Sequence, residues 1–343
     1  MRHRNVRADG DAPRAGHARS RPGFQARRHP RDDLHGTARR GDHRRSVSRR
    51  RPHAERTGLD HGLRDLRGRS ERSVPRRLHR GRHLVVGAWD RELQVAVNAA
   101  RAGADAALPF YEKQSRVTWK EDNSPVGEAD HAADAAIQRV IRAAFPDDAI
   151  LTEESGQLAG TRDRRWIVDP IDGTRDFLRG LPYWANLIAL ETEGDVVVGV
   201  LHHPALGTLY AAARGAGAWR DGQRLQVADA PLSRSLLVLG EVNCLLEAID
   251  AATLGRLCEA VGSARGFGAP YGAAAMLDGK AEIWTEGIVS LWDIAPFVVL
   301  LEEAGARFTD LTGARTWPSR SGLAAAPALH DAVLDVLGRS DPR

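Results

Sequence analysis

The feature that most constrains the fold of this chain is the segment WIVDPIDGTRDF, from Trp166 to Phe177. Its first three residues are apolar and predict a buried strand, which leads directly to Asp169, Pro170 and Asp172. Two carboxylates at the end of a strand, around a Pro-containing turn, can direct both side chains and a backbone carbonyl at one cation. The Gly-Thr pair that follows can begin a helix whose first N–H groups suit a phosphate. Phosphate chemistry on hard cations is therefore the first hypothesis.

The same residues also fit an ordinary turn, because Asp-Pro and Asp-Gly pairs favour turns and Asp is a common helix N-cap. Two further acidic groups favour a site. Glu153 and Glu154 follow a predicted strand at residues 149–151, and Asp293 lies at the start of an apolar helix. A carboxylate at a helix start is often only favourable dipole electrostatics. Three acidic groups, each at a strand end or helix start, are harder to explain as solvated surface.

In order and spacing, these motifs resemble those of the inositol monophosphatase family of magnesium-dependent phosphatases. That family carries a Glu-Glu pair, then DPxDGT, then WDxAxxxxxxxEAG, and the resemblance extends over roughly residues 90 to 340. A weaker fourth element, KEDNSPVGEAD, ends at Asp130. The family usually has Thr at the position of Gly127, so a hydroxyl role there is in doubt.

Strands mixed with helices, without strict βαβ alternation, predict a mixed α/β or α+β fold. The resemblance implies a layered αβαβα sandwich in two subdomains, about 84–225 and 226–343, with the active site between them. The predicted helices lie near residues 93–103, 130–145, 250–261, 270–277 and 292–304. The predicted strands lie near residues 117–120, 149–151, 166–168, 185–190, 196–201, 207–211, 216–220, 225–227, 281–285 and 307–309.

Residues 1–83 differ in composition from the rest of the chain. They contain 25 Arg, no Lys, and 9 Asp or Glu, a net charge of about +16. Because the whole chain carries +4, the remaining residues carry −12. A misassigned start is our first interpretation of residues 1–83, ahead of a disordered basic tail and a targeting sequence. A nucleic-acid-binding protein built on this segment is the alternative of another class, but we expect no nucleic-acid partner, since the segment has one aromatic residue and no motif.

The resemblance also assigns roles to individual residues. It implies Mg²⁺, two or three ions per site, with Mn²⁺ as the alternative, and oxygen ligands with no nearby His or Cys agree with that choice over Zn²⁺. It implies a catalytic pair, Thr174 and Glu153, that orients the attacking water. It places the phosphate on the N–H groups of Gly173 and Thr174. The implied metal ligands are Glu153, Asp169, the carbonyl of Ile171, Asp172 and Asp293, with Asp130 acting through water on a weaker third ion and Glu154 outside the ligand set.

Substrate choice rests on fewer residues. Glu286 matches a family position that contacts the substrate, and Trp184 lies in a segment, GLPYWANLIAL, that resembles histidinol-phosphate phosphatases. That subgroup usually has an Asp at the position of Ala269, where it could pair with a substrate amine. We therefore rank histidinol phosphate first, inositol-1-phosphate second, and other sugar or nucleotide phosphates third. For Trp184 and Trp284 core packing remains the default alternative to substrate contact.

The remaining expectations concern partners and location. His202 and His203 could ligate a metal, although loop packing is the preferred interpretation. The two cysteines, Cys244 and Cys258, make no metal-ligand spacing and suit free thiols in a reducing cytoplasm. No run of about 18 apolar residues is present, so no membrane span is expected. A homodimer is expected by analogy with the family.

Overall fold

The computed structural model describes residues 87–111, 117–119, 125–315 and 317–338. For residues 117–119 and 125–126 only the backbone is described. The expectations for residues 1–83 lie outside the described residues. So do residues 120–124 of the segment that precedes Asp130. No helix in the described part of the chain combines the length and apolar character needed to cross a bilayer.

Eight helices and fifteen strands make up the described residues. The helices are α1 (Asp90–Ala107), α2 (Glu128–Ala144), α3 (Thr174–Leu178), α4 (Val242–Ala248), α5 (Ala251–Ala260), α6 (Ala269–Leu277), α7 (Leu291–Glu303) and α8 (Pro327–Gly338). The strands are β1 (Val117–Trp119), β2 (Pro125–Gly127), β3 (Ala149–Thr152), β4 (Gly156–Leu158), β5 (Arg164–Asp172), β6 (Ala185–Thr192), β7 (Asp195–His203), β8 (Thr208–Ala213), β9 (Gly217–Arg220), β10 (Gln223–Arg224), β11 (Leu236–Leu239), β12 (Ser263–Gly266), β13 (Ile283–Glu286), β14 (Arg307–Thr309) and β15 (Gly322–Ala325).

The strands form two large sheets and one small hairpin. The first sheet has the order β10-β9-β8-β7-β6-β5-β3-β4, in which only β3 and β5 are parallel. The second has the order β12-β11-β13-β15-β14, with β11 parallel to both of its neighbours. β1 and β2 pair separately as an antiparallel hairpin. The chain passes from the first sheet to the second between residues 224 and 236.

Alternation of side chains across the strands explains the layers. Along β5 and β6, Trp166 and Ile188 pack with α1 and α2 on one face of the first sheet. Ile167 and Leu187 point to the opposite face, where they join α6, α7 and one face of the second sheet. The far face of the second sheet, including Leu237, packs on α5 and α8. The order of layers is therefore α, β, α, β, α, which confirms the predicted sandwich.

The close approach of β7 to α7 depends on a glycine. A Cβ added to Gly199 would lie 2.5 Å from the carbonyl oxygen of Pro296 and 2.7 Å from Cγ1 of Val299. Backbone on one side of that contact cannot move aside easily. The central helix layer can therefore lie against the first sheet only because this strand position has no side chain.

Several predicted element boundaries were wrong. Pro170 was placed in a turn, but β5 continues through it to Asp172, with a shift of register against β6 between Asp169 and Asp172. Gly103 was expected near the end of the first helix, yet it lies inside α1 and contacts Ile137 of α2. In both cases tertiary packing outweighs local turn or breaker signals.

Other differences concern the second half of the chain. Residues 225–227 follow β10 and are not a strand. Cys244, expected in a loop, lies on α4, while Cys258 lies on α5, and both thiols are free. The elements that were not predicted are β2, β4, β10, β11, β12, β15, α4 and α8.

We expect Gly199→Ala to destabilise the protein by about 1–3 kcal/mol, because the added methyl would force α7 away from β7. Urea unfolding of the two proteins measures the change. Gly255→Ala is the matched control, since this exposed position inside α5 has no atom within 4 Å of an added Cβ. That change should stabilise by about 0.5–1 kcal/mol. Equal effects of the two substitutions would contradict the packing argument.

Candidate active site

The ends of two parallel strands place the first acidic residues together. In the ladder between β3 and β5, Thr152 pairs with Val168, and the N–H of Glu153 donates to the Val168 carbonyl at 3.2 Å. Glu153 therefore lies next to Asp169 at the carboxyl ends of both strands. Asp169 is 2% exposed, and its Oδ1 accepts a hydrogen bond from the N–H of Ile171 at 3.0 Å.

The transition from β5 to α3 depends on Gly173, which has a φ of 83° and is the N-cap of that helix. A Cβ at this left-handed position would be strained. The hydroxyl of Thr174 donates to the Ile171 carbonyl at 3.0 Å and lies 3.5 Å from Oδ1 of Asp130. Asp130, the third residue of α2, also accepts from the N–H of Gly127 at 2.9 Å. The DPIDGT segment and the start of α2 thus share one polar contact.

The second sheet and α7 supply the remaining acids. Asp293 is in the first turn of α7 and accepts a hydrogen bond from the N–H of Ser290 at 2.8 Å. Glu286 ends β13 and is 1% exposed. Its Oε1 accepts from the N–H groups of Glu241 at 3.1 Å and Gly287 at 3.2 Å.

These groups line one cavity of about 910 Å³ between the ends of the two sheets. Two guanidinium groups come from the segment after DPIDGT and a third from Arg320. The acidic side chains lining the cavity are Glu153, Asp169, Asp172, Asp176, Glu241, Glu286 and Asp293. Asp130 is buried beside them and is not among the lining residues.

Burial and mutual repulsion shape the acidity of the cluster. Burial raises the pKa of Asp169 well above its usual value, and the charges of Glu153, Asp172, Asp293 and Asp130 raise it further. Burial likewise raises the pKa of Asp172 well above its usual value, and the charge of Asp293 is the next largest cause. The cluster therefore resists full ionisation unless positive charge is added.

Burial also raises the pKa of Asp130 to about 6, against the opposing effect of the Gly127 N–H. It raises the pKa of Glu286 to about 8, while the N–H groups of Gly287 and Glu241 act in the opposite direction. Near neutral pH a proton on Glu286 is therefore favoured.

The residues present fit a hard divalent cation by chemical type. Oδ2 of Asp172 is buried and has no hydrogen-bond partner within the described structure, and the surrounding donors are carboxylate and carbonyl oxygens, which Mg²⁺ prefers. Among the described residues, no three His, Cys, Asp or Glu side chains already stand in a metal-holding group. The carboxylates line one cavity without forming such a group.

A sequence model described as the inositol monophosphatase family matches residues 89–340 of the chain. The match includes every acidic residue of the cavity. The chain belongs to the inositol monophosphatase family. The fold agrees with this assignment, because the extragenic suppressor protein SuhB of Bartonella henselae superposes with a TM-score of 0.68 at 28% identity, over 73% of this chain and 99% of that structure.

Curated relatives within the family carry different names. A histidinol-phosphatase of Chlorobaculum parvum is 39% identical over 68% of this chain and 92% of its own length. An inositol-1-monophosphatase of Mesorhizobium japonicum is 36% identical over 64% of this chain and 86% of its length. A protein named Nus factor SuhB, from Pasteurella multocida, is 33% identical over 73% of this chain and 96% of its length.

The structure does not support the predicted substrate contact of Trp184. Its side chain is fully buried against Phe177 and Tyr111. The neighbouring residue, Tyr183, lines the cavity. Trp284 is likewise fully buried, in the core between the sheets. Both large aromatic rings are therefore held by core packing.

His202 and His203 pack as the preferred interpretation expected, although they lie at the end of β7 and not in a loop. Nδ1 of His203 lies 2.9 Å from the Trp184 carbonyl, and Nε2 lies 3.3 Å from the Pro270 carbonyl. Burial lowers the pKa of both imidazoles. In the described structure the hydrogen-bond partners of both rings are backbone carbonyls, and the His203 ring also lies edge-to-face with Tyr271.

Sequence reasoning missed several lining residues. Asp176 is two residues after Thr174 and was given no role. Glu241 follows β11, and the apolar run LLVL ended by Gly240 could have identified this strand end. Phe267 and Arg320 come from loops whose approach to the cavity has no signal in the sequence.

The raised pKa of Glu286 predicts a pH-dependent stability for the metal-free protein. Its folded pKa of about 8 exceeds the ordinary value of 4.5, so its contribution is fully present below pH 4.5 and is lost as pH rises through 8. We expect the free energy of unfolding, measured by urea titration in EDTA, to fall between about pH 5 and pH 8. Glu286→Gln should make this fall smaller. The exposed Glu259→Gln is the control, and an equal slope in both variants would contradict the assignment.

Proposed function

We propose that this protein hydrolyses a small phosphate monoester with Mg²⁺, and that L-histidinol phosphate is its substrate. The observation that carries the proposal is the convergence of Glu153, Asp169, Asp172 and Asp293 beside the start of α3 in one cavity. Relatives named histidinol-phosphatase and inositol-1-monophosphatase support hydrolysis of a phosphate ester. The reaction transfers the phosphoryl group to water and releases an alcohol.

The metal assignment follows the chemistry of the donors. Glu153, Asp169 and the Ile171 carbonyl would hold one Mg²⁺, while Asp169, Asp172 and Asp293 would hold a second. Asp130, buried behind Thr174, would act through water on a third. Bound Mg²⁺ offsets the phosphate charge, lowers the pKa of water and stabilises the leaving oxygen. The same ions would remove the repulsion that now raises the pKa values of Asp169 and Asp172.

The chain's own groups would position the reactants. The N–H groups of Gly173 and Thr174 begin α3 and would bind the phosphate oxygens, since first-turn N–H groups have no partner within the helix. The Thr174 hydroxyl and the Glu153 carboxylate would orient the attacking water. Because that hydroxyl donates to the Ile171 carbonyl in this structure, its lone pairs are available to accept a hydrogen bond from the water.

Glu286 would contact the alcohol part of the substrate from the opposite side of the cavity. Its Oε2 is buried without a hydrogen-bond partner in the described structure, which favours a polar ligand group at that point. With its pKa raised to about 8, the side chain can donate as well as accept a hydrogen bond. The cavity geometry supports this role for Glu286. Since Trp184 is buried, we propose Tyr183 as the aromatic residue that contacts the substrate.

Inositol-1-phosphate is the second candidate substrate. Ala269 lines the cavity where the histidinol-phosphatase pattern has an Asp, and this loss favours a neutral polyol. The relative from Mesorhizobium japonicum supports the same choice. Location in the cytoplasm and assembly as a homodimer remain expectations of the proposal.

Asp172→Asn should reduce phosphate release by at least about 1000-fold while the protein remains folded, because a neutral amide is a much weaker ligand than a carboxylate for the second Mg²⁺. Malachite-green phosphate detection with Mg²⁺ measures the rate, and circular dichroism checks the fold. The exposed Asp335→Asn is the control and should retain full activity. Normal turnover in Asp172→Asn would overturn the proposal.

Deleting residues 1–83 should leave phosphatase activity intact, because the family match begins at residue 89. The nucleic-acid-binding alternative predicts the opposite: the truncated protein would lose its function, and the full chain would bind DNA or RNA in a salt-dependent manner. Comparing both proteins in the phosphate assay and in a filter-binding assay separates the two hypotheses.

Substrate choice is tested with histidinol phosphate and inositol-1-phosphate side by side. We expect kcat/KM to favour histidinol phosphate by at least about tenfold, which corresponds to about 1.4 kcal/mol of transition-state binding. A preference for inositol-1-phosphate would make the second candidate the substrate. Hydrolysis of neither ester would leave other sugar or nucleotide phosphates as the substrate class.

A further inference from the structure

One wall of the cavity, formed by Asp176, Glu241 and Glu286, is acidic although the site is proposed to receive an anionic phosphate. Seven carboxylates and three guanidinium groups line the cavity as a whole. Glu153, Asp169, Asp172 and Asp293 are assigned to metal ions under the proposed function. Three acids remain without a role in phosphate binding, namely Asp176, Glu241 and, beyond one contact to the alcohol, Glu286.

Asp176 lies between the phosphate side of the cavity and the segment that lacks the expected Asp. Its Oδ2 is 3.9 Å from a Cβ built on Gly173 and 3.9 Å from a Cβ built on Gly268. Gly268 is adjacent to Ala269. A carboxylate from α3 therefore reaches the neighbourhood of position 269, where the histidinol-phosphatase pattern places a carboxylate from α6.

Glu241 and Glu286 complete this acidic wall. The Glu286 carboxylate rests so closely on Gly240 that a Cβ there would lie 1.6 Å from Oε2. It is therefore held beside Glu241 and accepts a hydrogen bond from the Glu241 N–H. Glu286 is 1% exposed, and its Oε2 lacks a hydrogen-bond partner in the described structure although it lines the cavity. A buried polar atom without a partner at a cavity wall indicates that a polar ligand group belongs there.

The charges on this wall act on one another. The Glu241 charge raises the pKa of Asp176, and it also raises that of Glu286. Arg179 partly offsets the charge of Asp176, but its guanidinium donates to the Arg175 carbonyl at 2.9 Å. A second cation from the substrate would therefore be favourable at the wall.

Aromatic rings lie beside the acids. The rings of Tyr183 and Tyr271 are 4.7 Å apart between centroids, and those of Phe267 and Tyr271 are 5.4 Å apart. Tyr183 and Phe267 line the cavity. Faces of this kind suit a flat heterocycle or the carbon atoms around an ammonium group.

We propose that Asp176 and Glu241, with Glu286 behind them, form an amine-binding subsite that selects phosphate monoesters with a protonated primary amine near the ester carbon. In this subsite Asp176 and Glu241 would bind the amine that an Asp at position 269 would bind in the histidinol-phosphatase pattern. This inference rests on the proposed phosphatase function and names the substrate class of the same cavity. Asp176 and Glu241 are specificity-determining residues that touch the substrate away from the reacting phosphorus.

A matched pair of substrates tests the subsite. Histidinol phosphate and 3-(imidazol-4-yl)propyl phosphate differ only in the amine, so the ratio of their kcat/KM values isolates its recognition. We expect the wild-type full-length protein with Mg²⁺ to favour the amine-bearing ester by tenfold or more. Asp176→Asn and Glu241→Gln should each lower that ratio by about 10-fold to 100-fold, as expected for loss of a charged hydrogen-bond partner. Glu241 is exposed, so its variant keeps the test valid if Asp176→Asn does not fold.

Glu247→Gln is the matched control. It removes the same charge from α4, the helix that begins directly after Glu241, at an exposed residue that does not line the cavity. Its ratio should equal that of the wild type. An unchanged ratio in both Asp176→Asn and Glu241→Gln, or a fall of the same size in Glu247→Gln, would overturn the subsite.

The proposed function fails differently. If the protein released no phosphate from 4-nitrophenyl phosphate or from either imidazole ester, the proposed phosphatase function would be wrong. Hydrolysis of 4-nitrophenyl phosphate and inositol-1-phosphate, without any preference for the amine-bearing ester, would leave the phosphatase in place and overturn only the amine subsite.

Discussion

Repulsion among buried carboxylates is the constraint on which the site depends. Asp169 is 2% exposed and experiences the charges of four other acids, and Asp172 is in a similar position. Such an arrangement destabilises the folded protein in the absence of cations, so stabilising interactions elsewhere in the fold must offset it. The apolar contacts on both faces of each sheet provide this stabilisation. The acids are then held where positive charge yields the greatest gain, which is the usual compromise between stability and function.

The sandwich brings these acids together by a simple geometric device. In the first sheet β3 and β5 are the one parallel pair, so the carboxyl ends of both strands point to the same edge of the sheet. This edge meets the end of β13 and the start of α7. Residues separated by more than a hundred positions in the chain thus face one cavity. Gly199 lets α7 lie close to β7, so the position of Asp293 depends on packing well away from the cavity. Substitutions at that contact would be expected to alter metal affinity through the position of α7.

How much of this could be predicted from the sequence depends on the range of the interactions. The motif around Asp169 and Asp172 was identified because its ligands are neighbours in the chain, and the family assignment and the layered fold are confirmed. The path of β5 through Pro170 was missed, since pairing with β6 overrides a local turn signal. Trp184 was placed in the site by its neighbours in sequence, but its ring turns into the core, and Tyr183 is at the cavity. Asp176, Glu241 and Phe267 approach one another only through the packing of α3, β11 and α6, which no local pattern encodes.

Gly240 and Glu286 illustrate a consequence for how this chain can change. The Glu286 carboxylate occupies the space that any side chain at position 240 would need, with a Cβ only 1.6 Å from Oε2. A side chain at position 240 therefore requires the Glu286 carboxylate to move or to be replaced. A lineage that acquires a larger residue at position 240 would give up the present position of Glu286 and, with it, the hydrogen bonds from the N–H groups of Glu241 and Gly287. The two positions are therefore expected to change together in evolution.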